Sequence, residues 1–303
     1  KYTQNDIQEL INSLKEYDLT DFITNSVIGT YITSLAQELI TNELDEISLD
    51  LTKYELNNIG SYWKKGTLNI QGNTQDWTGE GMSGGKINIQ GNTQDWTGQD
   101  MSGGKINIQG NTLDNTGRGM IGGEINILGD VQDWTGEFMS GGEINIQGNT
   151  RNNTGFGMSG GEINILGNTL DNTGQGMSGG KINILGDVQD YTGVSMRGGV
   201  INIQGNTRDK TGLGMIRGVI TANEIQHIGN YYKKGLILST NQIRGVQELT
   251  QPVLALSSEN SYLLTIPNVY KHMEKIFYIP DQTLEESNKN IQLLKKQMED
   301  NNK

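Results

Sequence analysis

The chain repeats itself every 19 residues, eight times without a slip. Met recurs at 82, 101, 120, 139, 158, 177, 196 and 215, and Ile at 87, 106, 125, 144, 163, 182, 201 and 220. A short fixed period marks a solenoid, in which each coil buries its apolar edge on its neighbours. The unit reads roughly K-I-N-I-Q-G-N-T-x-D-x-T-G-x-G-M-x-G-G. Helical coils are excluded, because each interior glycine would cost a helix about 1 kcal/mol. Glycine instead suits corners of positive φ. The expected fold is an all-β solenoid, a parallel β-helix of 19-residue coils with strands stacked about 4.8 Å apart.

Eight copies act as a substitution series. Ile87 and Ile89 are two apart and share one strand face. Lys or Glu fills position 86 in six of the eight copies, so that position points out and the isoleucines point in. The expected core ladder is Ile87, Ile106, Ile125, Ile144, Ile163 and Ile182, with Met82, Met101, Met120 and Met139 as a second inward row. Thr74 alternates with Val131 and Val188, which predicts a half-buried site. The position of Trp77 also holds Trp96, Asn115, Trp134, Asn153, Asn172, Tyr191 and Lys210. No core accepts that mixture, so this row is outward.

Three zones follow. Residues 1–58 read as a helical, acidic N-terminal extension, from the spacing of Ile7, Leu10, Ile11 and Leu14. Residues 59–238 read as the β-helix, with regular coils over about 67–220 and degenerate capping coils at 59–66 and 221–238. Residues 239–303 read as a mixed tail whose C-terminal helix carries Leu284, Ile291, Leu294 and Met298. The caps share an aromatic–lysine signature: Tyr62, Trp63, Lys64 and Lys65 at one end, Tyr231, Tyr232, Lys233 and Lys234 at the other. Solenoids need atypical end coils to cover the core and block edge pairing. Trp63 falls in the Met row.

Net charge is −12, and residues 1–59 carry 11 acidic against 3 basic residues. No basic stripe exists, which argues against nucleic-acid binding. No long apolar run exists, which argues against a membrane span. The absence of cysteine removes disulfides and Cys-ligated metal centres. Extracellular and cytoplasmic locations both stay open, and the residues given show no signal-peptide pattern.

Candidate chemistry is sparse. Asp76, Asp95, Asp114 and Asp133 stack coil on coil. They are candidates for calcium between coils, or for accepting hydrogen bonds within their own turns. The Asn88 row suits an amide ladder. Trp77, Trp96 and Trp134 could hold a sugar or a protein partner, or cover the turn beneath them. His227 and His272 stand apart from any catalytic set. No nucleophile triad, phosphate loop or zinc motif is present, so neither catalytic residues nor cofactors are expected.

The run Gly79-Glu80-Gly81-Met82-Ser83-Gly84-Gly85-Lys86-Ile87-Asn88-Ile89-Gln90-Gly91 resembles the glycine-rich β-helix known by its GXGXG pattern. That domain forms one subunit of formylmethanofuran dehydrogenase, a related formyltransferase/hydrolase subunit, and the C-terminal domain of the glutamate synthase large chain. The resemblance spans about 67–220. It implies a right-handed β-helix acting as a scaffold, with catalytic metals and cofactors in other domains or subunits. Near-identical copies point to duplication under selection for length or a regular surface. The expected function is a non-catalytic scaffold that assembles with itself, head-to-tail as an oligomer or filament, or within a protein complex. A scaffold subunit of a formylmethanofuran dehydrogenase-type enzyme and a carbohydrate-binding or adhesive module are the alternatives.

Overall fold

The structure, a computed structural model, describes residues 3–42, 44–229 and 235–243. The expected C-terminal helix, His272, and Tyr231, Tyr232, Lys233 and Lys234 lie outside the described residues. Two helices, α1 (Gln4–Asn12) and α2 (Phe22–Asn42), precede eleven strands. These are β1 (Glu46–Asp50), β2 (Thr67–Gln71), β3 (Ser83–Ile89), β4 (Ser102–Ile108), β5 (Ile121–Ile127), β6 (Ser140–Ile146), β7 (Gly160–Ile165), β8 (Lys181–Ile184), β9 (Arg197–Ile203), β10 (Arg217–Ile225) and β11 (Leu236–Ile243). All pair in parallel, in chain order, as one sheet. This is the parallel β-solenoid that the 19-residue period predicts.

The register stacks like on like: Ile87 on Ile106, Asn88 on Asn107, Ile89 on Ile108. Both isoleucine rows and the whole methionine row are buried. Each coil therefore removes two isoleucines and a methionine from water, worth roughly 1.5–3 kcal/mol apiece. Trp63 takes the methionine position at 0% exposure. Thr74 is fully buried, not half-buried as expected, and so is Thr78. The Thr78 hydroxyl donates to Thr74 Oγ1 at 2.7 Å, so the two buried hydroxyls satisfy each other. Stacking also explains the paired glycines. Gly104 has φ +82°, and a Cβ on Gly103 would stand 2.6 Å from the Ser83 carbonyl oxygen.

The expectation that residues 1–58 are helical is corrected at its C-terminal part. Ile47 and Leu49 alternate with exposed neighbours, and β1 pairs with β2 through Ile47–Leu68 and Leu49–Ile70. The solenoid thus begins one coil earlier. At the other end, Ile220 stands beside Ile237 of β11.

The N-terminal zone packs on its own chain. In later coils, Gly79 N–H donates to the Ile59 carbonyl and Ser83 N–H to the Trp63 carbonyl. The first coil has no predecessor, and side chains of the helices replace it. Asn57 N–H donates to Asn25 Oδ1 at 2.7 Å, Gly60 N–H to Thr33 Oγ1 at 2.9 Å, and Lys64 N–H to Gln37 Oε1 at 2.8 Å. Asn25, Thr33 and Gln37 share one side of α2, because residues four apart are neighbours along a helix face and the steps from 25 to 37 turn it by only about a third of a circle. Gly29 completes that row, and a Cβ there would stand 1.9 Å from the Asn57 carbonyl oxygen. On α1, Gln8 brackets the β1 edge: its Oε1 accepts from Asp50 N–H at 2.9 Å, and its Nε2 donates to the Asp50 carbonyl at 3.1 Å. The helices seal this end by imitating a coil. Head-to-tail docking of the acidic zone on a neighbour would require it to leave this seat.

Candidate functional site

The stacked aspartates are committed to the neighbouring coil rather than to their own turn. Asp76 Oδ1 accepts from Asp95 N–H at 3.1 Å, Asp95 Oδ1 from Asp114 N–H at 2.9 Å, Asp114 Oδ1 from Asp133 N–H at 3.0 Å, and Asp133 Oδ1 from Asn152 N–H at 2.8 Å. Parallel stacking places the next coil's amide against each carboxylate, and that proximity overrides the local turn. Asn57 Oδ1 starts the series on Asp76 N–H at 3.0 Å. Burial pushes the Asp76 and Asp114 carboxyls above the usual carboxylate range, partly offset by those amides. Among the described residues, no group of three or more His, Asp or Glu side chains is placed to hold a metal ion.

Two further ladders run beside it. In the Asn88 row, Asn88 Nδ2 donates to Asn69 Oδ1 and Asn107 Nδ2 to Asn88 Oδ1, both at 2.8 Å. The row continues to Asn202. The other ladder has no counterpart among the sequence-based expectations: Asn73 Oδ1 accepts from Asn92 N–H at 2.9 Å, and Asn92 Oδ1 from Asn111 N–H at 2.8 Å. Its signal was the near-invariant Asn or Asp that follows each Gly91-type corner.

The tryptophan row is not uniform. Trp77 and Trp96 stack face to face with centroids 4.7 Å apart and planes 6° apart. Phe22 of α2 meets Trp77 edge-on at 5.4 Å, so this pair belongs to the N-terminal seal. Trp134 lies separately, edge-on to Phe156 at 5.3 Å, and Phe156 meets Phe138 at 5.7 Å. Trp77, Trp96 and Trp134 all have φ near +60°. Asn115, Asn153 and Asn172 at the same turn position suit that left-handed backbone better than tryptophan does.

The cap residues divide. Tyr62 is 63% exposed, whereas Trp63 is core and is corrected as an interaction candidate: it sits in the methionine row, inaccessible to a partner. Lys64 and Lys65 are exposed. His227 Nδ1 contacts Asp209 Oδ1 at the last rung of the aspartate ladder.

A groove of about 740 Å³ runs along the coils from Asp130 to Gln226, with Asp130, Arg151, Leu170, Asp187 and Arg208 among its walls. Asp130, Arg151, Asp187 and Arg208 are exposed, Glu224 is half-buried, and the lining includes the buried Val131 and Val188.

No curated protein matches the chain. A family model described as the GXGXG motif matches residues 1–185, which takes in both helices and the first regular coils. That match and the solenoid fold suggest a structural domain. With more than half of its 303 residues covered, the chain belongs to the GXGXG motif family.

Proposed function

We propose that the chain is a non-catalytic structural solenoid that assembles with copies of itself or within a larger complex. The observation that carries this reading is where the repeat's polar groups go. In each regular coil, the Asn88-type amide and the Asp76-type carboxylate bond to the adjacent coil. Groups that elsewhere coordinate metals or move protons are here used to hold register. The sealed N-terminal end leaves lateral surfaces and the C-terminal end for contacts.

Sedimentation velocity of the full chain over a concentration series tests the reading. Species heavier than the 33.3 kDa chain are expected. A chain that stays monomeric at high concentration and low salt removes self-assembly. A second reading, compatible with membership of the GXGXG motif family, is a scaffold subunit of a formylmethanofuran dehydrogenase-type complex. A molybdenum or tungsten enzyme co-purifying with the native protein would support it, and a preparation that purifies only as the chain itself would count against it.

A further inference from the structure

A longer regularity lies over the repeat. Leu113, Asp130 and Arg151 recur three coils later as Leu170, Asp187 and Arg208. Five successive coils therefore present Asp130, Arg151, Leu170, Asp187 and Arg208 along the groove. The order is negative, positive, apolar, negative, positive. Read backwards it is positive, negative, apolar, positive, negative. Laid antiparallel on itself about Leu170, the series sets each of these four charges against its opposite and Leu170 against Leu170, with Glu224, the groove's remaining charge, one coil beyond the matched stretch.

We propose that this groove joins two copies of the chain, antiparallel, about a two-fold axis at Leu170; the inference rests on the self-assembly reading above. Such an interface is isologous, so each pair forms twice. Arg151 meets Asp187 of the second copy, and Asp130 meets Arg208. The matched stretch covers four coil steps, about 19 Å at the usual strand spacing. The competing register, Leu113 on Leu170, matches only Asp130 with Arg151, so complementarity selects the Leu170 axis.

The charges are prepared for a partner. Asp130 Oδ1 accepts from Asn149 N–H at 2.7 Å and Asp187 Oδ1 from Asn206 N–H at 2.8 Å, which fixes both carboxylates through one oxygen while both residues stay exposed. The ion pairs Lys105–Glu124, Arg118–Glu137, Lys181–Glu162 and His227–Asp209 do not engage Arg151 or Arg208. Arg151 also draws the Asp114 carboxyl down through its charge. The aspartates precede the arginines by two positions in the coil, an offset that the long arginine side chains bridge.

Gel filtration with light scattering on the full chain, Arg151→Asp, and Arg151→Asp with Asp187→Arg tests this, with thermal melts confirming that each variant folds. The full chain is expected to dimerise. The single reversal should weaken dimerisation about tenfold or more, equivalent to about 1.4 kcal/mol. The double exchange should restore it, because opposite charges face each other again. The chain has no cysteine. Leu170→Cys should therefore cross-link to itself on oxidation, and Leu128→Cys, 50% exposed but off the groove, should not. A dimer indifferent to Arg151→Asp, an exchange that fails to restore it, or an uncross-linked Leu170→Cys overturns the pairing while self-assembly stands. A monomeric full chain overturns both.

Discussion

At the scale of single residues, two buried or half-buried positions make opposite demands. The Thr116 hydroxyl donates to Thr112 Oγ1 at 2.9 Å inside the core. Valine stands at the Thr112-type position in two coils, and there Thr135 and Thr192 keep their bonds to the Gln132 and Gln189 carbonyls, as Thr116 has one to the Leu113 carbonyl. Thr112→Val should therefore cost under about 1 kcal/mol, whereas Thr116→Val strands the Thr112 hydroxyl at about 1–3 kcal/mol. Denaturant melts of the two variants check the asymmetry; equal losses would contradict it. The Asp114 carboxyl is raised by burial. A raised carboxyl is most compatible with folding when protonated, so its contribution falls as pH rises through its folded value. Asp114→Asn keeps the acceptor oxygen, as Asn152 does in the same row. The variant should melt slightly higher at neutral pH, by under about 1 kcal/mol for a half-exposed group, with the gain vanishing in acid. Asp6, Asp18, Asp21 and Asp50 run the other way. Hydroxyls of nearby threonines hold these exposed carboxyls low, and their contribution is lost on acidification.

At the scale of elements, the strands were legible and their N-terminal partner was not. Ile87 and Ile89 declare a strand face through period two and through eight unchanged copies. A one-residue slip would bury the Asn88 row in place of isoleucine, which is why the register is so strongly specified. By contrast, β1 escaped notice because Ile47 stands against Leu68 at a spacing unlike the repeat, with only alternate apolar residues in common. The aspartate partners were hidden for another reason: the bonding amide is remote in sequence and close only after coiling. The role of Asn25, Thr33 and Gln37 is a contact between a helix and a coil, which no local pattern announces. Their function makes a specific claim about the first coil. Asn25→Ala removes the oxygen that receives Asn57 N–H, leaving a buried donor at a cost of about 1–3 kcal/mol. Hydrogen exchange should show Asn57 protected like coil amides in the parent chain and selectively faster in the variant. Uniform exchange throughout the first coil in both would refute the imitation of a coil by α2.

At the scale of the whole molecule, apolar columns supply most of the stabilisation and polar ladders supply alignment. Each ladder bond contributes about 0.5–1.5 kcal/mol, against several for the isoleucine and methionine burial of a coil. Such a stack is indifferent to length, so something must end it, and the helices do so at the N-terminus. A molecule sealed at that end and self-complementary along its side should grow in width rather than in length. Small-angle X-ray scattering of the full chain against concentration measures this most directly. The prediction is that scattering mass doubles from the 33.3 kDa chain while the maximum dimension grows far less than twofold. Mass and maximum dimension doubling together would mean end-to-end growth, and mass fixed at one chain would mean no assembly; either result would contradict lateral pairing.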